Sequence, residues 1–106
     1  MGRFRFDDEL DDELGLERRK KTEKPKRYKV LLHNDDYTTQ EFVVEVLMHH
    51  FHRTHAEATH IMLNVHHRGV GVAGVYPKDV AETKIQEVTD EARFRGMPLL
   101  LTMEKE

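Results

Sequence analysis

From Tyr28 onward, short apolar stretches alternate with polar breaks, and the period of the apolar positions changes from one stretch to the next. Over Tyr28 to His33, Val30 and Leu32 fall on one face and Leu31 on the other, which is the period of a strand. Asn34 to Tyr37 is a polar turn. Thr38 and Glu41 have the spacing of a capping box and predict a helix start. Phe42, Val43, Val46, Leu47 and Phe51 then repeat at three- and four-residue intervals, the stripe of an amphipathic helix. Thr54 and Glu57 form a second capping box, and Ala58, Ile61, Met62 and Val65 give that helix its apolar face. Gly69 sits where a left-handed residue closes a helix. Val70 to Tyr76 predicts a strand, with Gly71 and Gly74 marking bends or close backbone approach. Pro77 suits a first helical turn. Ala81, Ile85, Val88 and Ala92 lie at i, i+4, i+7 and i+11, the clearest helical period in the chain. Gly96 ends that helix and Pro98 blocks its return. Leu99 to Met103 is the last strand, and Glu104 to Glu106 an exposed end.

The resulting order is β-α-α-β-α-β. Strands this short predict a three-stranded, mainly antiparallel sheet with three helices packed on one side, an α+β fold. No internal repeat is present. Residues 1–27 differ in kind. An acidic block (Asp7, Asp8, Glu9, Asp11, Asp12, Glu13, Glu17) is followed by a basic one (Arg18, Arg19, Lys20, Lys21, Lys24, Lys26, Arg27). Too little apolar surface accompanies them to offset the entropy of ordering, so they predict a flexible extension ahead of a core domain at 28–106. Leu10, Leu14 and Leu16 have helical spacing, and Pro25 punctuates the junction.

Charge and composition narrow the function classes. A net charge of −3 argues against nucleic acid as the main partner, because phosphate binding needs a basic excess. The chain has no cysteine, hence no disulfide or thiolate chemistry, which fits a cytoplasmic protein. No apolar run approaches the ~20 residues of a membrane helix, and the acidic N-terminus lacks the apolar centre of a secretion signal.

Candidate chemistry centres on Asn34, Asp35 and Asp36, a turn of polar acceptors held between a strand and a helix. Such residues are common in turns, where they bond nearby backbone N–H groups and favour the start of a helix. The functional alternative is that Asn34 and Asp36 accept hydrogen bonds from an ammonium group. His66 falls at the end of the second helix, after Met62 and Val65, where a neutral imidazole could serve as a third acceptor. Eight histidines invite a metal reading, yet none of His49, His50 and His52 are four apart and no His-Glu-x-x-His occurs. Serine and cysteine are absent, and the glycine-rich run at 69–74 lacks the Lys and Ser/Thr of a phosphate loop, so an enzyme is not expected. Tyr76 and Asp79, beside Val80-Ala81-Glu82-Thr83-Lys84, offer a docking patch.

Taken in order, the run Tyr28 to Thr38, then Glu41-Phe42-Val43, Ala58-Thr59, Ile61-Met62, Val65-His66, Gly69 to Val75, Val80 to Lys84 and Pro98-Leu99 resemble the bacterial ClpS adaptor family over essentially all of 28–106. The resemblance implies a non-enzymatic adaptor without a cofactor. Such an adaptor binds N-degron substrates that begin with Leu, Phe, Tyr or Trp and delivers them to the AAA+ unfoldase ClpA of the ClpAP protease. It implies that Asn34, Asp36 and His66 contact the substrate α-amino group. Leu32, Asp35, Thr38, Val43, Met62, Val65 and Leu99 would line the side-chain pocket, with Gln40 at its rim. Tyr76, Asp79 and Lys84 would face ClpA, and a monomer is expected. Three departures from the family pattern stand out. Thr39-Gln40 replaces a common Pro-Met, so Gln40 takes the rim position of a methionine. Asp79 is one methylene shorter than the usual Glu, and Pro77 replaces a polar capping residue.

Overall fold

The computed structural model describes residues 26–106. The acidic block, most of the basic block, the leucines at 10, 14 and 16, and Pro25 lie outside the described residues. Strand β1 (Arg27–His33) is followed by helices α1 (Gln40–His50) and α2 (His55–Arg68), strand β2 (Val70–Pro77), helix α3 (Lys78–Phe94) and strand β3 (Leu100–Lys105). The order of elements is the one the apolar periods predict. The sheet runs β2-β1-β3 with both pairings antiparallel.

β1 is central, and its alternation sorts the two faces. Leu32 lies opposite Gly71 and Leu101, and Val30 opposite Gly74 and Met103. Val30, Leu32, Leu99 and Leu101 enter a core with Phe42, Val46 and Leu47 of α1, Ala58 and Val65 of α2, and Ala81, Val88 and Ala92 of α3. On the other face Leu31 is only partly buried, and Val72 and Leu100 are exposed. There the His33 Nε2 lies 2.8 Å from the Thr102 hydroxyl. A β-bulge interrupts the β1–β2 register between Val30 and Leu31, leaving Ala73 without a cross-strand partner. Its carbonyl instead accepts a hydrogen bond from Arg53 Nε at 2.9 Å.

Most of the predicted punctuation is in place. Thr54 and Glu57 form a reciprocal capping box at α2, and Gly69 closes that helix at φ +91° with its N–H donating to the Val65 carbonyl. Gly96 adopts φ +77° just beyond α3. Gly71 and Gly74 mark tight approaches: a Cβ at Gly71 would meet Val65 Cγ2 at 2.7 Å, and one at Gly74 would meet the Tyr76 ring at 2.7 Å.

β1 begins one residue early, at Arg27, and three further boundaries differ from expectation. The N-cap of α1 is Thr39, whose hydroxyl accepts from the Phe42 N–H at 3.1 Å, and not Thr38 in a box with Glu41. Thr38 is committed elsewhere, because both its N–H and its hydroxyl donate to Asp35. β3 starts at Leu100, one residue late, and runs on through Lys105, because its backbone pairing to β1 continues past the last apolar position to the Tyr28–Lys105 pair. Pro77 ends β2 and stands at the N-cap position of α3, before the first turn and without a side-chain cap.

Candidate functional site

The site grows from how the chain leaves β1. The Asn34 N–H donates to the Gly69 carbonyl at 2.9 Å, so the residue after the central strand is tied to the residue that caps α2. This bond carries the 34–38 turn across to the end of α2, where His66 sits. Asp35 then organises the turn. Its Oδ1 accepts from the N–H groups of Tyr37 (2.8 Å) and Thr38 (2.6 Å), and its Oδ2 from the Thr38 hydroxyl (2.7 Å). Burial opposes ionisation of this carboxyl. The Thr38 hydroxyl bond, the two backbone N–H bonds and the charge of Arg93 outweigh that and hold its pKa below the usual carboxylate range. Arg93 is held in turn by the carbonyls of Met97 and Leu99, at 2.9 and 3.2 Å.

Between the turn and the two helices lies a cavity of about 220 Å³, lined by Asn34, Asp35, Asp36, Thr38, Gln40, Val43, Met62, Val65 and His66. Its polar side comes from the turn and the last turn of α2, and its apolar side from Val43, Met62 and Val65. With Asp35 occupied inside the turn, Asn34, Asp36 and His66 are exposed, and none of the hydrogen bonds among the described residues uses their side chains. The arrangement offers one carboxylate, one amide and one imidazole beside an apolar floor. Among the described residues no group of three or more His, Cys, Asp or Glu side chains is placed to hold a metal ion, and no helix is long and apolar enough to cross a membrane.

Nine of the eleven residues expected around the ligand therefore meet in one cavity. Leu32 and Leu99 do not line it. Strand alternation turns Leu32 inward, and both side chains are closed into the core, at 0% and 1% exposure. Two contributors had no signal in the sequence pattern, the Gly69 carbonyl that anchors Asn34 and Arg93 beside Asp35, and a third was signalled only in part: the glycine at 71 marked a close approach but not that Val65 is what it meets. Each depends on a tertiary approach between distant segments.

The Tyr76, Asp79 and Lys84 group lies on β2 and α3, in part as a structural unit. Lys84 Nζ donates to the His50 carbonyl at 2.7 Å, near the C-terminus of α1, and lies 5.2 Å from the Tyr76 ring centroid and 5.7 Å from that of Phe51. Burial raises the Tyr76 pKa despite the opposing charge of Arg53. Asp79 is exposed in the first turn of α3, its Oδ1 accepting from the Val80 N–H.

Comparison with known proteins bears directly on this geometry. A family model described as "ATP-dependent Clp protease adaptor protein ClpS" matches residues 23–102. The chain belongs to the ClpS family. ATP-dependent Clp protease adapter proteins ClpS from Desulfatibacillum aliphaticivorans and Myxococcus xanthus are similar to it. The first is 63% identical over 86 residues, spanning 81% of this chain and 83% of that protein. The second is 60% identical over 88 residues, spanning 83% and 82%. Among solved structures, Agrobacterium tumefaciens ClpS2 bound to L-phenylalaninamide superposes with a TM-score of 0.75 at 43% identity, covering 78% of this chain and all of that one. The family accounts for the β-α-α-β-α-β order and for the run from Tyr28 to Leu99 together, so this chain is a Clp protease adaptor of the ClpS type.

Proposed function

We propose that the chain reads the free N-terminus of substrate proteins whose first residue is Leu, Phe, Tyr or Trp, and delivers them to the ClpA unfoldase of ClpAP. The observation that carries this reading is the meeting of Asn34, Asp36 and His66, unbonded to the protein among the described residues, at the mouth of a cavity floored by Val43, Met62 and Val65. The ligand in the Agrobacterium relative has the same two parts, a free amino group and an aromatic side chain.

Each part is insufficient by itself. Burying a Leu or Phe side chain yields roughly 1.5–3 kcal/mol, and much of that is offset by the freedom lost on association. Hydrogen bonds from an ammonium to Asp36, Asn34 and His66 are charge-assisted, about 1.5–3 kcal/mol for each bond to a charged group. They exist only at a chain start. An internal Leu presents an amide there, with one N–H at most and a chain that must continue into the turn. Selection thus combines attraction with steric and hydrogen-bonding rejection. Thr38 and Asp35 hold the turn, and Gln40 lies at the rim with a polar head in place of a thioether. Tyr76, Asp79 and Lys84 form the face that docks on ClpA, and the protein acts as a monomer in the cytoplasm.

Fluorescence anisotropy with labelled peptides tests the reading. Leu- and Phe-started peptides bind, and acetylating the N-terminus or introducing Asp36→Ala weakens binding by at least about tenfold, or roughly 1.4 kcal/mol. Equal affinity for free and acetylated peptides would leave a plain interaction domain that docks without reading chain starts.

A further inference from the structure

A second cavity, about 320 Å³ and wide open, adjoins the first. It is lined by Gln40, Glu41, Val44, His55, Thr59 and Met62. Gln40 and Met62 belong to both linings, so the two hollows meet at a saddle made by these two residues. Asn34, Asp36 and His66 line the first hollow and not the second. A chain that starts at Asn34, Asp36 and His66 therefore has the saddle as one exit.

Chain geometry decides which residue arrives in the second cavity. In an extended segment successive side chains point to opposite faces, and residues two apart share a face at a spacing of about 6.6 Å. If the first side chain enters the first cavity, the second points away from the protein. The third returns to the same face, one saddle further along. Chemistry then decides its type. Met62, which is half-buried, and Val44 offer an apolar wall. Glu41 is exposed in the first turn of α1 and, among the described residues, has no ion-pair partner. Gln40, His55 and Thr59 add polar atoms around it. The lining suits a long aliphatic stem that ends in a cation.

Resting on the amino-terminal reading above, we propose that the hollow between α1 and α2 is a subsite for the third residue of the bound chain and favours lysine or arginine there through Glu41. Neither the family description nor the bound phenylalaninamide of the relative reaches this position, since that ligand is a single residue.

The test uses the full chain and four peptides, all starting with phenylalanine: alanine at positions two and three, lysine at two only, lysine at three only, and glutamate at three only. Lysine at the third position should bind about threefold tighter than alanine there, the scale of one partly exposed ion pair. Glutamate at the third position should bind weaker than alanine, and lysine at the second should change little. In a Glu41→Gln variant the ratio between third-position lysine and alanine should fall to about one. Using that ratio cancels any general effect of the variant on α1. The inference is overturned if third-position lysine gains nothing, if second-position lysine gains as much, or if the gain survives Glu41→Gln. An acetylated control separates the two readings. Loss of amino-group dependence sinks the first cavity's assignment, whereas retained dependence with no third-position effect sinks only the subsite.

Discussion

Asp35 shows why neighbouring carboxylates in one turn take different roles. It is half-buried and receives three hydrogen bonds, while Asp36, one residue on, is exposed and none of the hydrogen bonds among the described residues uses its side chain. Asp35 is thus the residue that positions the turn, and Asp36 is left available to a ligand. Removing the three bonds with Asp35→Ala should cost about 1–2 kcal/mol of stability. Peptide affinity should fall as well, because Asn34 and Asp36 lose their placement. The sign of the pH dependence follows from the depressed pKa. Asp35 stabilises the fold above its unfolded value, near ~3.9, and that contribution disappears as pH falls through the lower folded value. Urea titrations of both proteins should therefore show a stability gap that is widest above pH ~5 and closes in acid. A gap that stays constant with pH would mean that the carboxylate charge contributes nothing to holding the turn. The same residue explains the misplaced helix start. Two threonines stand side by side, and capping-box spacing favours Thr38, but Asp35 takes both donors of Thr38 and leaves Thr39 as the cap. Local spacing does not reveal that competition.

At the scale of elements, the legible parts are those fixed by period and by single-residue backbone demands. Ala81, Ile85, Val88 and Ala92 define α3; three of them are fully buried, and Ile85 packs partly buried against the core. Gly69 and Gly96 hold the left-handed positions that end α2 and precede β3. Strand ends were less legible, because β3 is extended by backbone pairing that polar side chains do not announce. The helix–sheet distance was legible only as a glycine marking some close approach, without the element it approaches. It depends on Gly71, where β2 passes so close to α2 that a Cβ would stand 2.7 Å from Val65 Cγ2 and 3.5 Å from the Ile61 carbonyl. Val65 is also part of the cavity floor. Gly71→Ala should therefore push β2 and α2 apart, destabilise the fold by about 1–3 kcal/mol, and weaken binding of Phe-started peptides. Gly96→Ala is the matched control. It strains a residue at φ +77° with open space around it, far in sequence from the cavity linings. That variant should lose about 1 kcal/mol of stability and keep its peptide affinity. Equal binding losses in both variants would show that affinity tracks global stability and not the spacing of α2 from the sheet.

For the molecule as a whole, recognition and delivery belong to different parts of the chain. Every residue that lines the first cavity lies between Asn34 and His66, and the core that supports it is closed by elements from Arg27 to Lys105. Residues 1–24 carry eight acidic and seven basic side chains, so removing them shifts the net charge by only one unit. Long-range attraction of a peptide should then hardly change. A chain lacking residues 1–24 should accordingly bind Leu- and Phe-started peptides within about twofold of the intact protein and unfold at the same urea concentration. Its polar, low-apolar composition instead suits a segment that a protein-threading machine can grasp. On the proposed function, degradation of a Leu-started reporter by ClpAP should fall in the truncated protein despite full peptide occupancy. Anisotropy and degradation measured on the same two proteins separate the outcomes. Lost peptide affinity would place part of the recognition surface in residues 1–24, and unimpaired degradation would show that the folded domain delivers substrate unaided.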